Sequence, residues 1–156
     1  MPINWGSTCL GNICKLTDGK RESGVERINL DVKYLRGEKE GKTLTSGKFI
    51  PRNSQMILMD GENSGEVFKT LIDGYQGSTF KRLEIHPLIN EEYVLLFIKM
   101  HQKTFRESKT GSAIPHLNKK LFNEVTIPIP PYSEQKLIVK AVQNVLNLID
   151  IVSENL

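Results

Sequence analysis

The stretch "IPIPPYSEQKLIVKAVQNVLNLIDIVSENL", from Ile127 to Leu156, constrains this chain more than any other. Pro128, Pro130 and Pro131 end the strand they follow, because a proline offers no backbone N–H to a ladder. Ser133 then stands as the expected N-cap of a helix, with Glu134 in the first turn, where the helix dipole favours a carboxylate. Beyond it, Ile138, Val142, Val145, Ile149, Val152 and Leu156 are spaced 4, 3, 4, 3 and 4 residues apart. That is the a/d seam of a heptad pattern, thickened on one flank by Leu137, Ala141, Leu148 and Ile151. At about 1.5 Å per residue it makes an apolar stripe about 28 Å long. Two arrangements would bury it: packing back on its own domain, or pairing with another helix as a coiled-coil arm. Spacing does not choose between them; the position of the stripe after all other elements favours the arm.

The residues before Pro131 predict a mixed domain. "WGSTCLGNICKLTDGK" reads as short strands and loops, and "RINLDVKYL" alternates Ile28, Leu30, Val32 and Tyr34 as a half-buried strand. "RGEKEGKTLTSGK" reads as a polar surface loop, "QMILM" as a buried strand, and "EVFKTLI" and "STFKRLEIH" as further strands. The turns "DGENSG" and "DGYQG" between them predict a meander. After Pro87 the period changes: Asn90 caps a helix with Glu91 and Glu92 in its first turn, ending near residues 102–104. "FRESKTGSAIPHL" is a loop, and "NKKLFNEVTIPIP" gives a helical turn and a last strand. The fold class expected is therefore α/β (α+β): a mainly antiparallel sheet with a few helices over residues 1–131, then a coiled-coil-type helix over 132–156.

Composition excludes several classes. No apolar run approaches a membrane span, and Met1-Pro2-Ile3-Asn4-Trp5 lacks the features of a signal peptide. Two cysteines, Cys9 and Cys14, make no disulfide framework; both are expected as reduced thiols in or near the core, in a cytoplasmic setting. The net charge of +3 is a weak pointer to a polyanion. Its distribution says more: Lys99, Lys103, Arg106, Lys109, Lys119 and Lys120 share one stretch with a single acid, Glu107. Such a stretch is either a solvated face or a nucleic-acid contact.

Catalytic and metal signatures are near-misses. "GEKEGKT" has three residues between its glycines where a phosphate-cradling loop needs four. "DGENSG" opens like a calcium loop, but the closing carboxylate position falls on Leu71. Glu-x-Lys recurs at Glu40/Lys42, Glu107/Lys109 and Glu134/Lys136, with no strand-borne acidic partner. His86, His101 and His116 have no metal-ligand spacing, and no nucleophile elbow or dinucleotide glycine motif is present. The expectation is no catalytic residue and no metal site.

Taken in order, "WGSTCLGNIC", "KYLRG", "ILMDGENSG", "GYQGSTF", "TGSAIPHLN" and above all "IPIPPYSEQKLIV" resemble the target-recognition domain of the specificity (S) subunit of type I restriction–modification enzymes. Related domains occur in fused restriction–methylation enzymes. The resemblance runs from Trp5 to the C-terminus, and its most specific element is the P-x-P-P-x-x-E-Q run leading into a helix. It implies a non-catalytic mixed α/β domain that reads one half of a split duplex-DNA site. It implies a helix that pairs antiparallel with an equivalent one to space two such domains. It also implies methyltransferase (modification) and restriction subunits as partners, with S-adenosylmethionine, ATP and Mg bound by those partners and no cofactor on this chain. A complete family member has two recognition domains and two spacer helices; this chain has one of each, which leaves a half-subunit acting as a homodimer or a piece of a longer chain.

Base-edge readout needs Arg, Lys, Asn, Gln, Ser or Thr on segments able to enter a groove. The segment 104–116 qualifies best, with Arg106, Ser108, Lys109, Thr110, Ser112 and His116, and with Gly111 permitting close backbone approach. Tyr34, Arg36 and Lys48 form a second group, and Ser78 and Lys81 after the "GYQG" turn a third. Besides the type I reading, two others stay open: the recognition domain of a fused restriction–methylation enzyme, and a protein–protein adaptor whose basic loops are incidental.

Overall fold

The computed structural model describes Pro2, residues 4–107 and residues 114–156, the side chain of Glu107 excepted. In chain order the elements are β1 (Gly6–Cys9), α1 (Leu10–Ile13), β2 (Cys14–Thr17), β3 (Lys20–Leu30), α2 (Val32–Leu35), β4 (Thr43–Ile50), β5 (Gln55–Leu58), β6 (Val67–Lys69), β7 (Gly74–Gln76) and β8 (Phe80–Ile85). They continue with α3 (Glu91–Met100), α4 (Gln102–Phe105), β9 (Arg106–Glu107), β10 (His116–Leu117), α5 (Lys119–Glu124), β11 (Thr126–Ile129) and α6 (Tyr132–Glu154).

A four-stranded antiparallel sheet in the order β2-β8-β5-β6 forms the middle layer. Alternation along its strands sends side chains to opposite faces, and each face builds a core. On one, Cys14, Ile57 and Leu83 meet Val94 and Ile98 of α3, Phe122 of α5, Ile127 of β11 and Val139 of α6. On the other, Met56, Leu58 and Phe80 meet Leu30 and Ile50 of a small closed barrel, β3-β4-β7, with α2 packed against it. The mixed, mainly antiparallel fold class is as expected; β3–β7 is the parallel exception.

Several local expectations are corrected. The alternation of "RINLDVKYL" stops at Leu30, because the Asp31 carboxylate accepts the Tyr34 N–H at 2.9 Å and caps α2. The expected loop 36–48 contains most of β4, whose polar residues lie on a half-exposed barrel wall. "GYQ" is strand rather than turn. A Cβ at Gly74 would lie 2.6 Å from Leu30 Cγ, so glycine here answers the narrowness of the barrel. The meander holds for the β5–β6 hairpin only, since β8 pairs with β5 and β2. Cys14 is buried, which pushes its thiol up to about 12, whereas Cys9 is exposed.

The "PPYSEQ" run is a joint. Helix α6 starts at Tyr132, with Pro131 rather than Ser133 at the cap; the N–H groups of Glu134 and Gln135 both donate to the Pro131 carbonyl. Glu134 accepts the indole N–H of Trp5 at 2.6 Å, and Gln135 is buried against the start of α3. From there the helix leaves the body of the domain. Ile138 packs on the core and Val142 is half-buried, but Val145, Ile149, Val152 and Leu156 are 56%, 54%, 59% and 101% exposed. The expected seam is thus shared: its first turns pack on their own domain, and its later turns present an apolar face with no partner among the described residues. Among those residues, no helix is long and apolar enough to cross a membrane.

Candidate nucleic-acid interface

Three chain segments distant in sequence are laced together at one end of the central sheet. Met59 N–H donates to Thr79 O at 2.8 Å, Leu117 N–H to Met59 O at 2.8 Å, and Gly61 N–H to Pro115 O at 2.9 Å. This lacing brings the predicted residues Ser78, Lys81 and His116 into one groove of about 310 Å³, together with Asp60 and Lys119. His116 Nδ1 lies 2.6 Å from Asp60 Oδ1, so the imidazole donates there and keeps its other nitrogen for a ligand.

A second groove, of about 500 Å³, adjoins the first through the shared walls Lys81 and Lys119 and adds Asn12, Lys15 and Asn123. The two make one trough with ammonium groups from Lys15, Lys81 and Lys119 and side-chain amides from Asn12 and Asn123. Ammonium groups and amides are what a phosphodiester backbone and base edges accept hydrogen bonds from.

Behind Lys81 sits Asp18. Lys81 Nζ donates to both carboxylate oxygens, at 2.9 and 2.8 Å, and Lys48 Nζ approaches Oδ2 at 3.2 Å. Gln76 Nε2 donates to the same carboxylate at 2.7 Å, while Gln76 Oε1 accepts the Gly19 N–H at 2.9 Å. The Lys81 hydrogen bond, then the Gln76 one, hold the Asp18 carboxyl well below the usual carboxylate range. A predicted residue of the second group, Lys48, is thereby joined to the third.

The other candidates are placed differently. Tyr34 and Arg36 sit on and beside α2, over the barrel-side core. Arg36 Nη2 pairs with Glu66 Oε2 at 2.7 Å, and its guanidinium lies 5.8 Å from the centre of the Phe68 ring. Arg106 is half-buried in β9, with Nε buried and unpartnered among the described residues. Ser108, Lys109, Thr110, Gly111 and Ser112 lie outside the described residues. Sequence reasoning missed Asn12, Lys15, Asp18, Lys119 and Asn123 as site residues. Only Lys119 carried a signal, as part of the basic stretch 99–120; the rest reach the trough through β2–β8 pairing and α1–α5 packing.

The comparison with known families decides what this arrangement belongs to. The model of the type I restriction modification DNA specificity domain matches residues 2–156. The chain belongs to this family. The specificity domain is 30% identical over 167 aligned residues to the type I restriction enzyme MjaVIII specificity subunit of Methanocaldococcus jannaschii, covering 100% of this chain and 39% of that protein. It is 24% identical over 149 residues to the EcoDI specificity subunit of Escherichia coli, covering 94% of the chain and 32% of that protein. The chain therefore spans 39% and 32% of the length of these two relatives. Among solved structures, the HsdS subunit from Thermoanaerobacter tengcongensis superposes with a TM-score of 0.72 at 16% identity, over 99% of this chain and 40% of that one. The type I S subunit from M. genitalium gives 0.59 at 21% identity, over 97% and 43%. At these identities the likeness is one of fold, and in that fold the P-x-P-P-x-x-E-Q run of this specificity domain is the joint between body and helix.

Proposed function

We propose that this specificity domain reads one half of a bipartite duplex-DNA site and does no chemistry itself. Support comes from the trough, in which lysines, amides, Ser78 and His116 from three separate chain segments, 12–15, 78–81 and 116–123, converge. Methyltransferase and restriction subunits supply the activity, bringing S-adenosylmethionine, ATP and Mg with them in the cytoplasm. The exposed turns of α6 pair with the equivalent helix of a second specificity half, in another copy or in a longer chain.

A mobility-shift series against random duplex tests this. Neutralising about five phosphates gives a slope of log K on log salt near −4 to −5. Affinity indifferent to salt, or no shift at all, contradicts the proposal and favours a protein adaptor.

A further inference from the structure

We propose that Asp18 is a specificity-determining positioning residue of the duplex interface, tying down Lys81 and Lys48 so that they do not capture the phosphates of any sequence. The inference rests on the duplex-reading function proposed above and deepens it.

The two lysines come from different layers, Lys81 from the central sheet and Lys48 from the barrel, and meet at this carboxylate. The carboxylate has a third partner besides the two lysines. Gln76 grips it from one side, and Gln76 is itself positioned by the Gly19 N–H and the Phe80 carbonyl, at 2.9 and 2.8 Å. Asp18 keeps 34% of its side-chain surface exposed, and Lys81, which it holds, lines both grooves of the trough.

Two consequences follow for a ligand. Two ammonium groups sharing one carboxylate leave a net charge of about +1, and phosphate capture weakens with each cation so engaged. Lys81, having three N–H donors and directing two of them at Asp18 Oδ1 and Oδ2, keeps one for the trough. A single donor held in place selects among acceptors, as a guanine edge presents them, where a free lysine accepts any phosphate. A fixed repulsive charge beside an attractive one is how discrimination is gained at the expense of raw affinity.

The test compares wild type, Asp18→Asn and Asp18→Glu, each checked by thermal melting. Binding is measured against a pool of random-sequence duplexes and against the duplexes enriched from that pool by wild type. Asp18→Asn is expected to bind the random pool roughly three- to tenfold tighter at 0.1 M salt, with a slope steeper by about 1. Its preference for the enriched duplexes shrinks, and Asp18→Glu restores the wild-type slope. An unchanged slope and preference, or an equal loss of affinity for all duplexes in step with a lower melting temperature, overturns the inference alone. Failure of wild type to bind any duplex overturns the duplex-reading function and this inference with it.

Discussion

The side-chain carbonyl of Gln135 accepts the backbone N–H of Asn90 at 2.9 Å, so the capping residue of α3 is itself held by the first turn of α6. The other end of the same amide donates to the Pro130 carbonyl at 2.8 Å, and the residue is 2% exposed. The glutamine of P-x-P-P-x-x-E-Q thus satisfies a part-buried loop donor and a buried loop acceptor.

Replacing Gln135 with leucine removes the partner of both backbone groups and leaves the Pro130 carbonyl buried and unpaired. The expected cost is about 2–3 kcal/mol, read as a lower urea midpoint at unchanged m-value. A midpoint within error of wild type contradicts the clamp.

Asp18 links stability to pH. Its folded-state pKa is lowered, chiefly by Lys81, so the stabilisation is complete above the unfolded carboxylate value near ~3.9 and is lost as pH falls below it. The melting-temperature gap between wild type and Asp18→Asn is expected to hold from pH 7 to about 5 and to narrow below about 4. The pair is partly exposed, so the gap is modest and shrinks in salt. A gap constant down to pH 3 contradicts the assignment.

Gly19 is required by contact. A Cβ there would lie 2.2 Å from the Phe49 carbonyl oxygen, a backbone atom of β4, whereas nothing lies within 4 Å of one at Gly6. Gly19→Ala is expected to cost about 2–4 kcal/mol and Gly6→Ala less than about 0.5 kcal/mol in chemical denaturation. Equal effects at the two positions would contradict the packing of the Asp18–Gly19 turn on the barrel.

The later turns of α6 bear on association rather than folding. Leu148 and Val152 are 62% and 59% exposed, so glutamine at both changes monomer stability by less than about 1 kcal/mol. If α6 pairs as proposed, sedimentation shows self-association of the wild type that the double variant lacks. Identical sedimentation of the two contradicts helix pairing between copies.

Periodicity made the helices legible, α3 from the spacing of Tyr93, Val94, Phe97 and Ile98 and α6 from that of Ile138 and Val142 onward. Strand β5, buried on both faces, was legible as a compact apolar run. Periodicity failed where another constraint replaced burial. The barrel strand β7 carries Gly74 because Leu30 fills its place, and α2 forms because Asp31 caps it. The site divides in the same way. Ser78, Lys81 and His116 were legible as polar residues near glycine or proline, and strand pairing brings them together. Asn12, Lys15 and Asp18 were not, because nothing local distinguishes an interface lysine or aspartate from a solvated one. Their place near the trough comes from β8 lying beside β2 and α5 lying beside α1. The seam of α6 was legible as a seam, but its division between body and solvent depends on where α3 sits.

The most direct measurement of the central claim is selection from random-sequence duplexes by the purified chain, followed by sequencing of the bound fraction. A short contiguous preference in a single block, weakened by Lys81→Ala and His116→Ala, is the result expected of a domain that reads one half of a split site. A bound fraction indistinguishable from the input pool would contradict it.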